Sequence, residues 1–168
     1  MNLPEKFEIL VITLSDRAYK GEYEDLSGPK VREMITAFFV SVGWSFNIIT
    51  TLVPDEADGL KNLLKDAGNI YNLIITTGGT GIGPRDITIE TVTPLLSKQI
   101  PGIMEFIRIK YGTERPGALL SRGVAGITGK SLIYTLPGSV RAVEEYMTEI
   151  LKTLKHTIYM QYGVDKHI

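Results

Sequence analysis

Residues 7–14, FEILVITL, are apolar at nearly every position and rich in β-branched side chains, without the polar alternation of a strand that has one wet face. A strand of this kind must be covered on both sides, as strands are inside a parallel sheet. Residues 73–77, LIITT, form a second short apolar run of the same character. Between such runs lie amphipathic stretches. Val31, Met34, Ile35, Phe38, Phe39 and Val42 recur at three- and four-residue spacing, as do Ala57, Leu60, Leu63, Leu64 and Ala67. Strands alternating with amphipathic helices predict an α/β fold: a three-layer α/β/α sandwich whose mainly parallel sheet carries helices on both faces.

The remaining punctuation fits that scheme. Ser27 reads as the cap of the first helix, entered through Pro29 and stopped by Gly43, and residues 44–53 read as a strand ended by Pro54. Thr88 can cap a short helix to about Leu96. A further helix is expected over residues 101–111, with Ile103, Phe106 and Ile107 facing inward and Gly112 beyond it. RGVAGIT and SLIYTL, separated by Gly129 and Lys130, read as an antiparallel hairpin added to the sheet. Ser139 then opens a long helix whose Val140, Val143, Met147, Ile150, Leu151, Leu154 and Ile158 share one face. No repeat or linker divides the chain, so one domain over residues 1–168 is expected.

Composition narrows the function. A formal net charge of −1 gives no basic field for nucleic acid, and the absence of cysteine removes thiolate nucleophiles and cysteine-held zinc. No apolar run approaches the roughly 20 residues that span a bilayer, and the first residues lack a secretory pattern. The expectation is a soluble cytoplasmic protein without nucleic-acid or membrane partners.

Residues 73–88, LIITTGGTGIGPRDIT, concentrate the candidate chemistry. Gly78, Gly79, Gly81 and Gly83 let the backbone approach an anion; Thr77 and Thr80 add hydroxyls, Arg85 a planar cation, and Asp86 a hard oxygen ligand suited to Mg²⁺. The spacing matches neither the P-loop, which needs Lys followed by Ser or Thr, nor the dinucleotide fingerprint. A plain connecting turn is the alternative.

Ligands of open α/β sheets bind beyond the carboxyl ends of the strands. Those ends carry Ser15, Asp16 and Arg17; Pro54 and Asp55; Thr77 to Gly79; and Leu136, Pro137 and Gly138, with Ser121 and Arg122 on the same edge if the hairpin is antiparallel. Each has an ordinary reading too. Asp55 can cap a helix, Asp16 and Arg17 can pair, Ser121 can be a strand-start hydroxyl, Arg122 a solvated charge, and Glu22, Glu24 and Asp25 a wet loop. His156 and His167 fall on the last helix or tail, away from this rim. The set suits phosphate-group transfer, in which positioning and charge neutralisation do most of the work.

SDRAYKGEYEDLSGP at 15–29, VPDE at 53–56, TTGGTGIGPRDIT at 76–88, LLSRGVAGI at 119–127 and LPGS at 136–139 together resemble the molybdopterin adenylyltransferase family, the MogA type also found as the G domain of gephyrin. The resemblance implies transfer of AMP from ATP to molybdopterin with Mg²⁺, giving adenylylated molybdopterin and pyrophosphate in molybdenum cofactor biosynthesis. It makes Asp55 and Asp86 the catalytic, metal-holding pair. Thr77, Gly78, Gly79, Thr80, Gly81 and Arg85 would bind nucleotide phosphates. Asp16, Gly28, Ser121, Arg122, Pro137, Gly138 and Ser139 would lie on the pterin side. A homotrimer and a molybdate-insertion enzyme as partner are implied as well. Ile89 and Val140 stand where relatives often have proline. The alternatives are a MoaB-type protein, a non-catalytic pterin-binding or scaffolding module, and a nucleotide-pyrophosphate hydrolase on the same fold.

Overall fold

The computed structural model describes residues 2–164. In chain order its elements are β1 (Phe7–Leu14), α1 (Asp16–Tyr19), α2 (Ser27–Val42), β2 (Phe46–Val53), α3 (Ala57–Ala67), β3 (Leu73–Thr77), α4 (Thr88–Val92), β4 (Lys98–Gln99), α5 (Pro101–Gly112), β5 (Ala125–Thr128), β6 (Ser131–Leu136) and α6 (Val140–Gln161). They build a six-stranded sheet in the order β2-β1-β3-β6-β5-β4. Strands β2, β1, β3 and β6 are parallel, whereas β5 runs antiparallel to both β6 and β4.

The unbroken apolar character of β1 follows from its place between β2 and β3, with helices above and below. Phe7, Ile9 and Val11 join Leu73, Ile75, Leu132, Tyr134 and Leu136 in a core closed by Val31, Ile35 and Phe39 of α2, Met104 and Ile107 of α5, and Val143, Met147, Ile150 and Leu154 of α6. The alternate residues Leu10, Ile12 and Leu14 join Ile74 and Ile133 on the other face, under Leu60, Leu64 and Ala67 of α3 and Val92 of α4. Each fully buried Ile or Leu contributes about 1.5–3 kcal/mol, so β1, which serves both cores, anchors the fold. Among the described residues no helix is long and apolar enough to cross a membrane.

Several local expectations need correction. Ser27 is the first residue of α2 rather than its cap. The Asp25 carboxylate does that work, accepting the N–H groups of Ser27 at 3.0 Å and Gly28 at 3.1 Å, and it also takes the Thr13 hydroxyl at 2.7 Å. Asp25 is therefore not part of a merely wet loop. Phe106 points outward and is 51% exposed, while Met104 takes the inward position on α5. Residues 98–99 add a two-residue strand too short to carry a pattern, and α1 forms within polar sequence because Ser15 caps it, accepting the Ala18 N–H at 3.2 Å. Thr88 opens α4 without capping it.

Candidate functional site

The four parallel strands end on one side of the sheet, and a cavity of about 770 Å³ lies there. Its walls come from the end of β1 (Ser15, Asp16, Arg17), the end of β2 (Asp55), the loop after β3 (Gly78, Gly79, Thr80, Gly81, Gly83, Arg85, Asp86), the segment before β5 (Gly117, Leu120, Ser121) and the turn after β6 (Pro137, Gly138, Ser139). The parallel register makes this convergence obligatory: Leu14 is level with Val53, and Thr77 is level with both Thr13 and Leu136.

The glycine loop is tied down through its carbonyls. Gly78 has φ +105°, and a Cβ there would stand 2.2 Å from the Leu14 carbonyl, so only glycine lets the loop turn so close to β1. The Gly78 carbonyl accepts the Thr88 hydroxyl at 2.8 Å and the Gly79 carbonyl the Thr88 N–H at 3.1 Å. The Thr80 carbonyl accepts the Arg122 N–H at 3.0 Å, and the Gly81 carbonyl the Arg122 Nε at 2.8 Å. Among the described residues, the N–H groups of Gly79, Thr80, Gly81 and Ile82 make no hydrogen bond. A backbone whose acceptors are used and whose donors are free is an anion receptor.

Two carboxylates sit against this receptor. Asp86 Oδ2 accepts the Gly83 N–H at 2.8 Å, and a Cβ on Gly81 would stand 2.7 Å from the same oxygen, so the loop wraps closely around Asp86. Asp55 does not cap α3. Its Oδ2 accepts the Asp16 N–H at 2.9 Å, while Asp16 Oδ1 accepts the Asp55 N–H at 3.0 Å, a reciprocal clasp between the ends of β1 and β2. Asp16 pairs not with Arg17 but with Arg85, whose Nε and Nη2 lie 2.9 and 2.5 Å from Asp16 Oδ2. The Arg85 hydrogen bonds hold the Asp16 carboxyl below its ordinary range, helped by the Asp55 N–H. Burial pushes the Asp55 carboxyl up, and the negative charges of Asp16 and Asp86 add to that rise.

Mg²⁺ is commonly held by one or two carboxylates together with substrate phosphates and waters. Asp55 and Asp86, each with one oxygen committed to a backbone N–H and one oxygen left over, fit that mode. No group of three or more His, Asp or Glu among the described residues forms a self-sufficient cage.

The cavity thus brings together Asp16, Asp55, Gly78, Gly79, Thr80, Gly81, Arg85, Asp86, Ser121, Pro137, Gly138 and Ser139 of the sequence-derived set. It leaves out three. The buried Thr77 hydroxyl donates to the Pro137 carbonyl at 2.8 Å, Gly28 is buried at the start of α2, and the Arg122 side chain lies behind the glycine loop, beside a neighbouring cavity of about 440 Å³. Arg122 is not a free solvated charge, because it pairs with Glu90. Sequence reasoning missed Tyr23, whose hydroxyl lies 2.7 Å from Ser15 Oγ and whose ring carries the Arg17 guanidinium at 5.1 Å. The only available signal was an aromatic residue in an aperiodic loop following a strand. His156 is exposed on α6 and does not line the cavity, and His167 lies outside the described residues.

A molybdopterin adenylyltransferase of Helicobacter pylori is 35% identical over 161 residues, covering 95% of this chain and 90% of that protein. Gephyrin of Dictyostelium discoideum is 38% identical over 92% of this chain, but the chain spans only 22% of that longer protein. The crystal structure of the molybdopterin biosynthesis enzyme MoaB from Thermus thermophilus superposes with a TM-score of 0.83 at 35% identity, covering 94% of this chain and 97% of that one. The family profile described as "Probable molybdopterin binding domain" matches residues 10–156, and the chain belongs to that family.

Proposed function

We propose that this protein is a molybdopterin adenylyltransferase of molybdenum cofactor biosynthesis, moving AMP from ATP to the terminal phosphate of molybdopterin. The observation that carries this reading is the row of unpaired N–H groups at Gly79, Thr80 and Gly81, residues that line the same cavity as Asp55 and Asp86. The loop donors take phosphate oxygens of the nucleotide, and Thr80 and Arg85 border them. Ser121 and the turn Pro137, Gly138 and Ser139 line the same cavity and receive the pterin side. A molybdopterin phosphate oxygen then attacks the α-phosphorus of ATP, the bond to the bridging oxygen breaks, and pyrophosphate leaves. The protein contributes alignment and a fixed field, and no residue becomes covalently modified. Asp55 and Asp86 would hold Mg²⁺, which when bound neutralises charge on the phosphate oxygens.

Asp16 in this reading serves the site through Asp55 and Arg85. A single domain acting as a cytoplasmic homotrimer, with a molybdate-inserting enzyme consuming the product, belongs to the same proposal and rests on the family resemblance.

The test is incubation with molybdopterin, ATP and Mg²⁺, following pyrophosphate and adenylylated pterin. One pyrophosphate per adenylylated molybdopterin is expected. A scaffolding module binds pterin and releases none, and a nucleotide-pyrophosphate hydrolase turns over without pterin; either result overturns the proposal.

A further inference from the structure

Every peptide unit is planar, and with no cis bonds in the described chain each carbonyl points opposite to the N–H that follows it. Whatever holds the carbonyl of one residue therefore aims the amide of the next. In the glycine loop four successive units are held in this way by two residues. Thr88, through its hydroxyl and its N–H, holds the carbonyls of Gly78 and Gly79, and so aims the amides of Gly79 and Thr80. Arg122, through its N–H and its Nε, holds the carbonyls of Thr80 and Gly81, and so aims the amides of Gly81 and Ile82.

The Arg122 guanidinium is itself fixed. Its Nη1 and Nη2 pair with the Glu90 carboxylate in the first turn of α4, and Nη2 also lies 3.5 Å from the Asp86 carbonyl. Nε, Nη1 and Nη2 all have protein acceptors, which leaves little of the fork for a substrate. We infer that Arg122 is a positioning residue for the phosphate side of the site, its side chain fixing the Gly81 carbonyl and its main-chain N–H the Thr80 carbonyl from behind the loop, rather than a pterin contact. The inference rests on the proposed nucleotide role of the loop for its functional consequence, but not for its structural content.

Lysine would supply the charge without the planar fork, so Arg122→Lys separates a clamp from a nearby cation. Three measurements on the intact protein decide the matter: ¹⁵N order parameters of the loop amides in the unliganded protein, calorimetric affinity for inorganic pyrophosphate, and affinity for molybdopterin. In Arg122→Ala and Arg122→Lys alike, the order parameter of Ile82, aimed through the side-chain Nε, falls most, while those of Gly79 and Thr80, held by Thr88, and of Gly81, held by the main-chain N–H of residue 122, keep their values. Pyrophosphate binding weakens by about tenfold, the scale of losing charge-assisted hydrogen bonds to the loop. Molybdopterin affinity stays within about twofold. Glu90→Gln, which loosens the fork without removing it, moves the same readouts in the same direction by less, and it carries the test if Arg122→Ala does not fold.

Wild-type pyrophosphate affinity in Arg122→Lys, loss of molybdopterin affinity with an unchanged loop, or loosening of all four amides equally would each overturn the inference. If the wild-type protein binds no pyrophosphate, the proposed nucleotide role fails, and the order parameters alone still decide whether Arg122 aims the loop.

Discussion

The two ends of the parallel sheet are built from similar polar residue types and behave differently. At the amino end, Asn72 Oδ1 accepts the Glu8 N–H at 2.7 Å, Asn72 Nδ2 donates to the Tyr162 hydroxyl at 2.7 Å, and Asn47 Nδ2 donates to the Glu8 carboxylate at 2.8 Å. Side-chain amides and a carboxylate there satisfy the strand starts and one another. At the carboxyl end, Asp55 and Asp86 each have one oxygen committed to a backbone N–H, while the loop amides of Gly79, Thr80 and Gly81, residues that line the cavity, are unpaired among the described residues. Polar content does not distinguish the two ends. Unmatched hydrogen-bonding capacity does, and under the proposed function it marks the end where a ligand would complete the structure.

The strongest way to break this comparison is Asp86→Asn. The asparagine side-chain oxygen can still accept the Gly83 N–H, so the loop keeps its shape while the site loses one negative charge. Pyrophosphate release should fall by about 10²-fold or more, the scale of removing a main electrostatic element, with molybdopterin binding nearly unchanged. Turnover within a few-fold of wild type would show that the carboxyl end is no more functional than the other. The counterpart at the amino end is Asn72→Ala, which strands the Glu8 N–H and should lower unfolding stability by about 1–3 kcal/mol. Denaturant titration measures that loss. Turnover measured well below the melting temperature should not change, and a fall in turnover would mean that the ends are coupled.

The sequence made the sheet and much of its functional rim legible because both depend on local pattern. Continuous apolar runs marked β1 and β3, the Gly129-Lys130 pair marked the hairpin, and strand polarity alone placed Asp55, Gly78 and Ser121 on one edge. What stayed hidden depends on which partner a polar side chain finds across space. Arg122 meets the Gly81 carbonyl across a separation of 41 residues, and Asp16 meets Arg85 across 69. Thr88 looked like a cap because a hydroxyl before a helix usually is one, yet its partner is the Gly78 carbonyl. Phe106 and Met104 lie two positions apart on α5, and an apolar stripe that wide does not reveal which edge faces the core. The outward Phe106 follows from packing that only the folded sheet defines.

The finest version of the comparison concerns stability and activity at one residue, Asp55. Burial raises its folded-state carboxyl above the ordinary value of 3.8, with Asp16 and Asp86 adding to the rise, while the Asp16 N–H and Arg85 oppose it. A raised carboxyl contributes stability that is fully present below the unfolded value and is lost as pH rises through the folded one. At neutral pH the ionised Asp55 therefore weakens the fold. Asp16, lowered by Arg85, runs the other way and weakens the fold as pH falls through its own reduced value. Asp55→Asn removes the ionisation while its side-chain oxygen can still accept the Asp16 N–H. In metal-free buffer at pH 7 the variant should melt higher than the wild type, by less than about 1 kcal/mol because solvent screens a half-buried group. The gain should shrink as pH falls and vanish below the ordinary carboxyl value, where the wild-type group is protonated too. The same variant should lose transfer activity. A substitution that stabilises and inactivates at the carboxyl end, beside one that destabilises and leaves activity intact at the amino end, separates a site kept incomplete for a ligand from a network that is already closed. If Asp55→Asn instead melts lower at pH 7, Asp55 is a structural member of its clasp, and the incompleteness of that end shrinks to the glycine loop and Asp86.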